Sequence, residues 1–146
     1  MKTRIYSFTL HFIILAISLV ACNGSPNPNL PSGEAALTEA TWKLFAIDKG
    51  KPIEANNEIT LTFSDGQVGG NSGCNSFGGS YQVNGDKIQL SQLASTMMAC
   101  MQPEGIMDQE QVILQYLNQA ETYRFEDGKL VLVISDQQTL TYEPVK

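Results

Sequence analysis

Histidine and arginine are nearly missing from this 146-residue chain: His11 stands alone, and Arg4 and Arg124 are the only guanidinium side chains. Imidazole is the usual proton-transfer group near neutral pH and the commonest metal ligand, so its absence after residue 11 removes the simplest routes to acid–base and metal chemistry. The three cysteines contain no Cys-x-x-Cys pair, which argues against a dithiol redox centre. Positive charge is also scarce, with 9 Lys+Arg against 15 Asp+Glu and a net charge of −6. A chain this acidic is a poor partner for phosphate backbones, and no nucleic-acid role is expected. The glycine-rich run 69–79 lacks the Gly-Lys-Ser/Thr ending that would meet phosphate and magnesium, so a nucleotide loop is not expected. No cofactor and no metal are predicted.

What is present begins with a leader. Lys2 and Arg4 precede the apolar run Phe12–Val20, which is too short to span a bilayer and suits the apolar region of a secretory signal. The run ends in Leu19-Val20-Ala21-Cys22, which resembles a bacterial lipobox. That resemblance implies a signal peptide over residues 1–21, cleavage before Cys22 and acylation of Cys22 as the mature N-terminus. Several acyl chains anchor stably where one holds marginally, so the membrane is an expected partner. Asn23 rather than aspartate follows, which under enteric-type sorting implies the outer membrane, facing the periplasm. Removing the leader deepens the net charge from −6 to −8, because Lys2 and Arg4 leave and no acidic residue does. Residues 22–40 are rich in Asn, Pro, Ser and Gly. They read as a flexible tether with a mean span of about 20 Å.

From Thr41 to Lys146 the pattern is one of short alternating runs with Asp65-Gly66, Asn84-Gly85 and Asp127-Gly128 between them, the signal of tight hairpins. Strands are expected at 41–47, 58–64, 67–71, 80–83, 87–92, 122–126, 129–135 and 138–143. Ile59, Leu61 and Phe63 fall on one face of their strand and Thr60 and Thr62 on the other, so each strand packs one side. One helix is predicted between Pro103 and Ala120, where Ile106, Ile113, Leu117 and Ala120 recur at helical spacing. The expected fold class is α+β: a curved, mainly antiparallel, barrel-like sheet with one helix packed across it, as a monomer.

With Cys22 acylated, Cys74 and Cys100 remain as an even pair in an oxidising compartment and are expected to be bonded. Nucleophilic chemistry at either would need a base or cation to generate thiolate, and no histidine serves.

The run Gly70-Asn71-Ser72-Gly73-Cys74-Asn75-Ser76-Phe77-Gly78-Gly79-Ser80-Tyr81, followed by Ser95-Thr96-Met97-Met98-Ala99-Cys100 and Met107-Asp108-Gln109-Glu110, resembles the META domain of HslJ-type heat-shock lipoproteins. Trp42, Leu44, Phe63, Leu130, Leu132, Leu140 and Tyr142 fit as well, so the resemblance covers residues 41–146. It implies a compact α+β domain in a secreted or lipid-anchored envelope protein. Relatives are associated with heat induction and tolerance of novobiocin, without an established reaction. Gly73, Asn75, Phe77, Gly79, Tyr81, Thr96, Met98 and Glu110 are then motif residues with a structural part to play.

Glu110 is the one carboxylate that helical spacing places on the apolar stripe, four residues after Ile106 and three before Ile113. A buried carboxylate must be paired, hydrogen-bonded or protonated. Here the expectation is that it accepts amides of the glycine-rich loop, since a lone acid without a positioned partner completes few reactions. Glu104 and Asp108 are expected to serve the positive end of the helix dipole. Met97, Met98, Met101 and Met107 cluster around Cys100. Thioethers suit Cu(I), but adaptable filler beneath the helix is the expectation. The functional expectation is a noncatalytic envelope lipoprotein that binds a protein partner or maintains the outer membrane under heat or antibiotic stress. The alternatives are a carrier holding a lipid or apolar molecule near Trp42, Phe63, Tyr81 and Tyr116, and, more weakly, an enzyme using Glu110.

Overall fold

The computed structural model describes residues 33–52 and 58–145, so the leader, Cys22 and most of the tether lie outside the described residues. Eight strands follow one another around a closed antiparallel barrel: β1 (Thr41–Ile47), β2 (Thr60–Ser64), β3 (Gln67–Asn71), β4 (Ser76–Asn84), β5 (Lys87–Ser95), β6 (Thr122–Glu126), β7 (Lys129–Val133) and β8 (Thr139–Val145). Closure comes from β1 and β8, which pair from Thr41↔Val145 to Ile47↔Leu140. Among the described residues, two helices complete the α+β fold, α1 (Glu34–Thr38) and α2 (Ile106–Gln119).

The turns explain the up-and-down order. Asp65 and Gly66 take φ 49° and 76°, and Asp127 and Gly128 take φ 50° and 77°. Both pairs are thus left-handed at both central positions, the requirement of a type I′ turn. The β4–β5 turn sits one residue later than its dipeptide suggests. Asn84 pairs with Lys87, leaving Gly85-Asp86 as the loop. Positive φ occurs there at Gly85 alone, as in type II′.

Side chains from all eight strands fill the interior, among them Leu61, Leu130, Leu132, Leu140 and Tyr142, each 1% exposed or less. An eight-stranded barrel is just wide enough to be filled in this way. The seam between β5 and β6 is the weakest in the ladder, with Lys87↔Thr122 as its one registered pair. Helix α2 is inserted in sequence between these two strands and packs chiefly on β5, with Ile113, Tyr116 and Leu117 in the core. It starts at Ile106, after Gly105 with φ 81°, so Pro103 and Glu104 precede the helix rather than open it, and only Asp108 lies in its first turn.

The folded body begins before Thr41, which corrects the last part of the expected tether. Leu37 of α1 is fully buried in the core, and the Trp42 indole N–H donates to Leu37 O at 2.9 Å. A five-residue helix has too few turns to show periodicity, and its one large apolar residue is what docks it.

Candidate functional site

Between β3 and β4 the chain runs through Ser72, Gly73, Cys74 and Asn75, and only the first turns of α2 bring a carboxylate to it. Glu110 is 6% exposed, and both of its oxygens are engaged. Oε2 accepts from Ser72 Oγ at 2.8 Å, from the backbone N–H of Asn75 at 2.8 Å and from that of Cys74 at 3.2 Å. Oε1 accepts from Asn75 Nδ2 at 2.6 Å. Burial alone would raise the carboxyl pKa. The donors from Asn75, Ser72 and Cys74 outweigh it and hold Glu110 below the ordinary carboxylate range.

Asn75 extends this network to a third segment. Its Oδ1 accepts from Thr96 Oγ1 at 2.8 Å and from the Met98 N–H at 2.7 Å, while Nδ2 also donates to Met98 O at 3.3 Å. This buried amide, 2% exposed, therefore ties the β3–β4 loop to both α2 and the segment after β5. The Cys74–Cys100 disulfide, with Cα atoms 5.9 Å apart, links the β3–β4 loop to the segment after β5 covalently. Gly73 makes the geometry possible with φ 120°, a conformation that costs glycine little. Its N–H donates to Asn71 Oδ1 at 2.8 Å. Gly79 serves a different contact. It lies opposite a bulge in β5 where Gln92 takes φ 56°, a local kink of the kind that re-aims a strand. A Cβ on Gly79 would come within 2.6 Å of Ser91 O and 2.7 Å of Leu93 Cδ2.

Apart from Gly79 opposite the β5 bulge, the sequence-predicted residues within the described span divide into three groups. Gly73, Asn75, Thr96, the Met98 backbone, Glu110 and the two cysteines converge on one network. Phe77, Trp42, Phe63, Tyr81 and Tyr116 instead lie in the hydrophobic core, where Phe63 and Tyr81 meet edge to face at 5.0 Å. The Tyr81 hydroxyl reaches Glu34 Oε1 at 3.2 Å, and burial, with that carboxylate, raises its pKa. The four methionines form the third group and correct an expectation. They are not filler beneath the helix: Met97, Met98, Met101 and Met107 are 98%, 54%, 85% and 40% exposed.

Two features escaped the sequence. Ser72 is fully buried and gives Glu110 a hydroxyl, yet nothing distinguishes it from its neighbouring serines in the sequence. Asp48, with φ 54°, accepts from Thr139 N at 2.9 Å and from the Tyr116 hydroxyl at 3.3 Å, so it joins the β1 end to α2 and β8. A turn-forming Asp-Lys-Gly triplet was its one signal. A surface cleft of about 540 Å³ lies along the β5–β6 seam, lined by residues that include Val83, Lys87, Ile88, Ala120 and Glu121. None of Trp42, Phe63, Tyr81 and Tyr116 lines it.

Among solved structures, the chain is similar to a protein determined by NMR, at 24% identity and TM-score 0.62, over 75% of this chain and 92% of that one. A second NMR structure, of a protein from Burkholderia xenovorans, is 26% identical with TM-score 0.59, over 77% of this chain and 86% of that one. A crystal structure of a DUF4847 family protein from Bacteroides vulgatus shares the fold at 15% identity and TM-score 0.53, over 75% of this chain and 94% of that one. Among curated proteins nothing matches. The family model of the META domain matches residues 35–146, the span that holds the whole barrel, the disulfide and the Glu110 network. By that match, this chain belongs to the META domain family.

Proposed function

We propose that this is a noncatalytic, lipid-anchored envelope protein whose META domain acts through its surface, by binding a protein partner or by helping to maintain the outer membrane under heat or antibiotic stress. The observation that carries the reading is the state of Glu110. It is the buried carboxylate of the described chain, and four donors hold it as an anion. An acid held this way is a poor proton donor at neutral pH. The leader and Cys22 support attachment to the envelope. Buried side chains from all eight strands occupy the barrel interior, which supports action through the outer surface.

The test is complementation in a bacterium lacking the gene, challenged with heat and novobiocin. The wild-type chain should restore tolerance, Cys22→Ser should not, and Glu110→Gln should restore it at a temperature where circular dichroism shows that variant folded. A folded Glu110→Gln protein that fails to complement would overturn the noncatalytic reading. A second reading, a carrier of a small apolar ligand, is supported by the cleft at the β5–β6 seam rather than by the core aromatics.

A further inference from the structure

Every methionine after Met1 lies between residues 97 and 107, and all four are exposed. Methionine ordinarily fills gaps in cores, yet none contributes to the core cluster of this barrel. The segment that carries these side chains is fixed at several points. Thr96 and the Met98 backbone bind Asn75, Cys100 is bonded to Cys74, and the Ile106 N–H donates to Pro103 O at 3.1 Å as α2 begins. Four long, flexible thioethers thus project from a pinned backbone.

Along the chain, the charges nearest to them have one sign. No lysine or arginine occurs between Lys87 and Arg124, whereas Glu104 and Asp108 stand among the methionines. That combination repels an anionic lipid surface and attracts a cation. Thioether sulfur is a soft, uncharged donor that selects soft metal ions over Zn(II), Ca(II) or Mg(II).

We propose that Met97, Met98, Met101 and Met107 form a surface thioether site for a soft monovalent metal cation, Cu(I) or Ag(I). Binding needs no change in the metal's oxidation state and no proton release, because thioethers do not titrate. The disulfide keeps Cys74 and Cys100 from acting as competing thiolates.

The test is titration of the full chain, with any free thiol alkylated at neutral pH, using Ag(I) followed by calorimetry and native mass spectrometry. Cu(I) is then measured by competition with bicinchoninate under ascorbate. Wild-type protein should take up Ag(I) and Cu(I) with no comparable uptake of Zn(II). Replacing the four methionines by leucine should weaken uptake by about a hundredfold or more while leaving the circular dichroism spectrum unchanged. Peroxide conversion of the exposed methionines to sulfoxides should have the same effect in the unmutated chain. Uptake undiminished by either treatment, Zn(II) bound as tightly as Ag(I), or no uptake of either soft cation would overturn the proposal.

Discussion

Glu110→Gln preserves the size of the side chain and removes its charge. In the native site one carboxylate accepts four hydrogen bonds, two of them from Asn75. The amide can keep one oxygen, facing Ser72 Oγ and the backbone N–H groups of Cys74 and Asn75. Its new NH₂ group then opposes Asn75 Nδ2, donor against donor. Asn75 cannot turn its amide to help, because Oδ1 already accepts from Thr96 and Met98. Hydrogen bonds to a charged group contribute about 1.5–3 kcal/mol and neutral ones about 0.5–1.5, and a stranded buried donor costs about 1–3. Relief of the buried charge offsets part of the loss, and the expected net destabilisation at pH 7 is about 2–4 kcal/mol. In urea this moves the unfolding midpoint down by on the order of 2 M.

The pH dependence sharpens the test. The folded-state pKa of Glu110 is depressed, so its stabilisation is complete above the ordinary carboxylate pKa and is lost as pH falls through the folded value. The gap between wild type and Glu110→Gln should therefore be widest near neutrality and close as the pH drops below the ordinary carboxylate range. Urea unfolding followed by Trp42 fluorescence at several pH values measures it. A gap under about 0.5 kcal/mol at pH 7, or one that persists unchanged to acid pH, refutes the reasoning.

Asn75→Asp places a second carboxylate against Glu110 Oε1. The pair must then hold a proton, so this variant should itself gain stability as pH falls from about 7 towards about 4. Glu110→Gln closes its gap only because wild type loses stability at lower pH, and the same urea series separates the two. Replacing Cys74 and Cys100 together by alanine opens a loop whose ends are 26 residues apart. On the chain-entropy model the loss is about 3.5 kcal/mol, which calorimetry checks as a lower Tm. Gly79→Ala drives a methyl group onto Ser91 O and Leu93 at the bulge. The expected destabilisation is about 1–3 kcal/mol by urea unfolding. Cys22→Ser should move the protein out of the detergent-requiring membrane fraction, as read by fractionation and immunoblotting.

How far the sequence reached depended on whether a residue's position followed from local pattern. Ile59, Leu61 and Phe63 announced their buried face by alternation, and the two Asp-Gly hairpins announced their turns. The start of β4 and the end of β5 did not, because the bulge at Gln92 shifts the register and breaks the alternation there. Glu110 was legible as an anomaly on an apolar helical stripe, and Asn75 through the motif around Cys74. Their partner Ser72 was not, since its burial depends on a loop closed by a helix 38 residues away. The methionines misled for a related reason. Residue type favours the core, but the Asn75 bonds and the disulfide hold their segment against the surface.

The most direct test of a lipid-anchored, surface-acting domain is a mass spectrum of the chain purified from bacterial envelopes, taken under native and then denaturing conditions. The account predicts a chain starting at Cys22, heavier by its acyl groups, lighter by the two hydrogens lost in the Cys74–Cys100 bond, and carrying no organic molecule that denaturation releases. An unprocessed N-terminus without acyl mass would contradict the anchor, and a released lipid or other organic ligand would contradict the surface-acting reading in favour of a carrier.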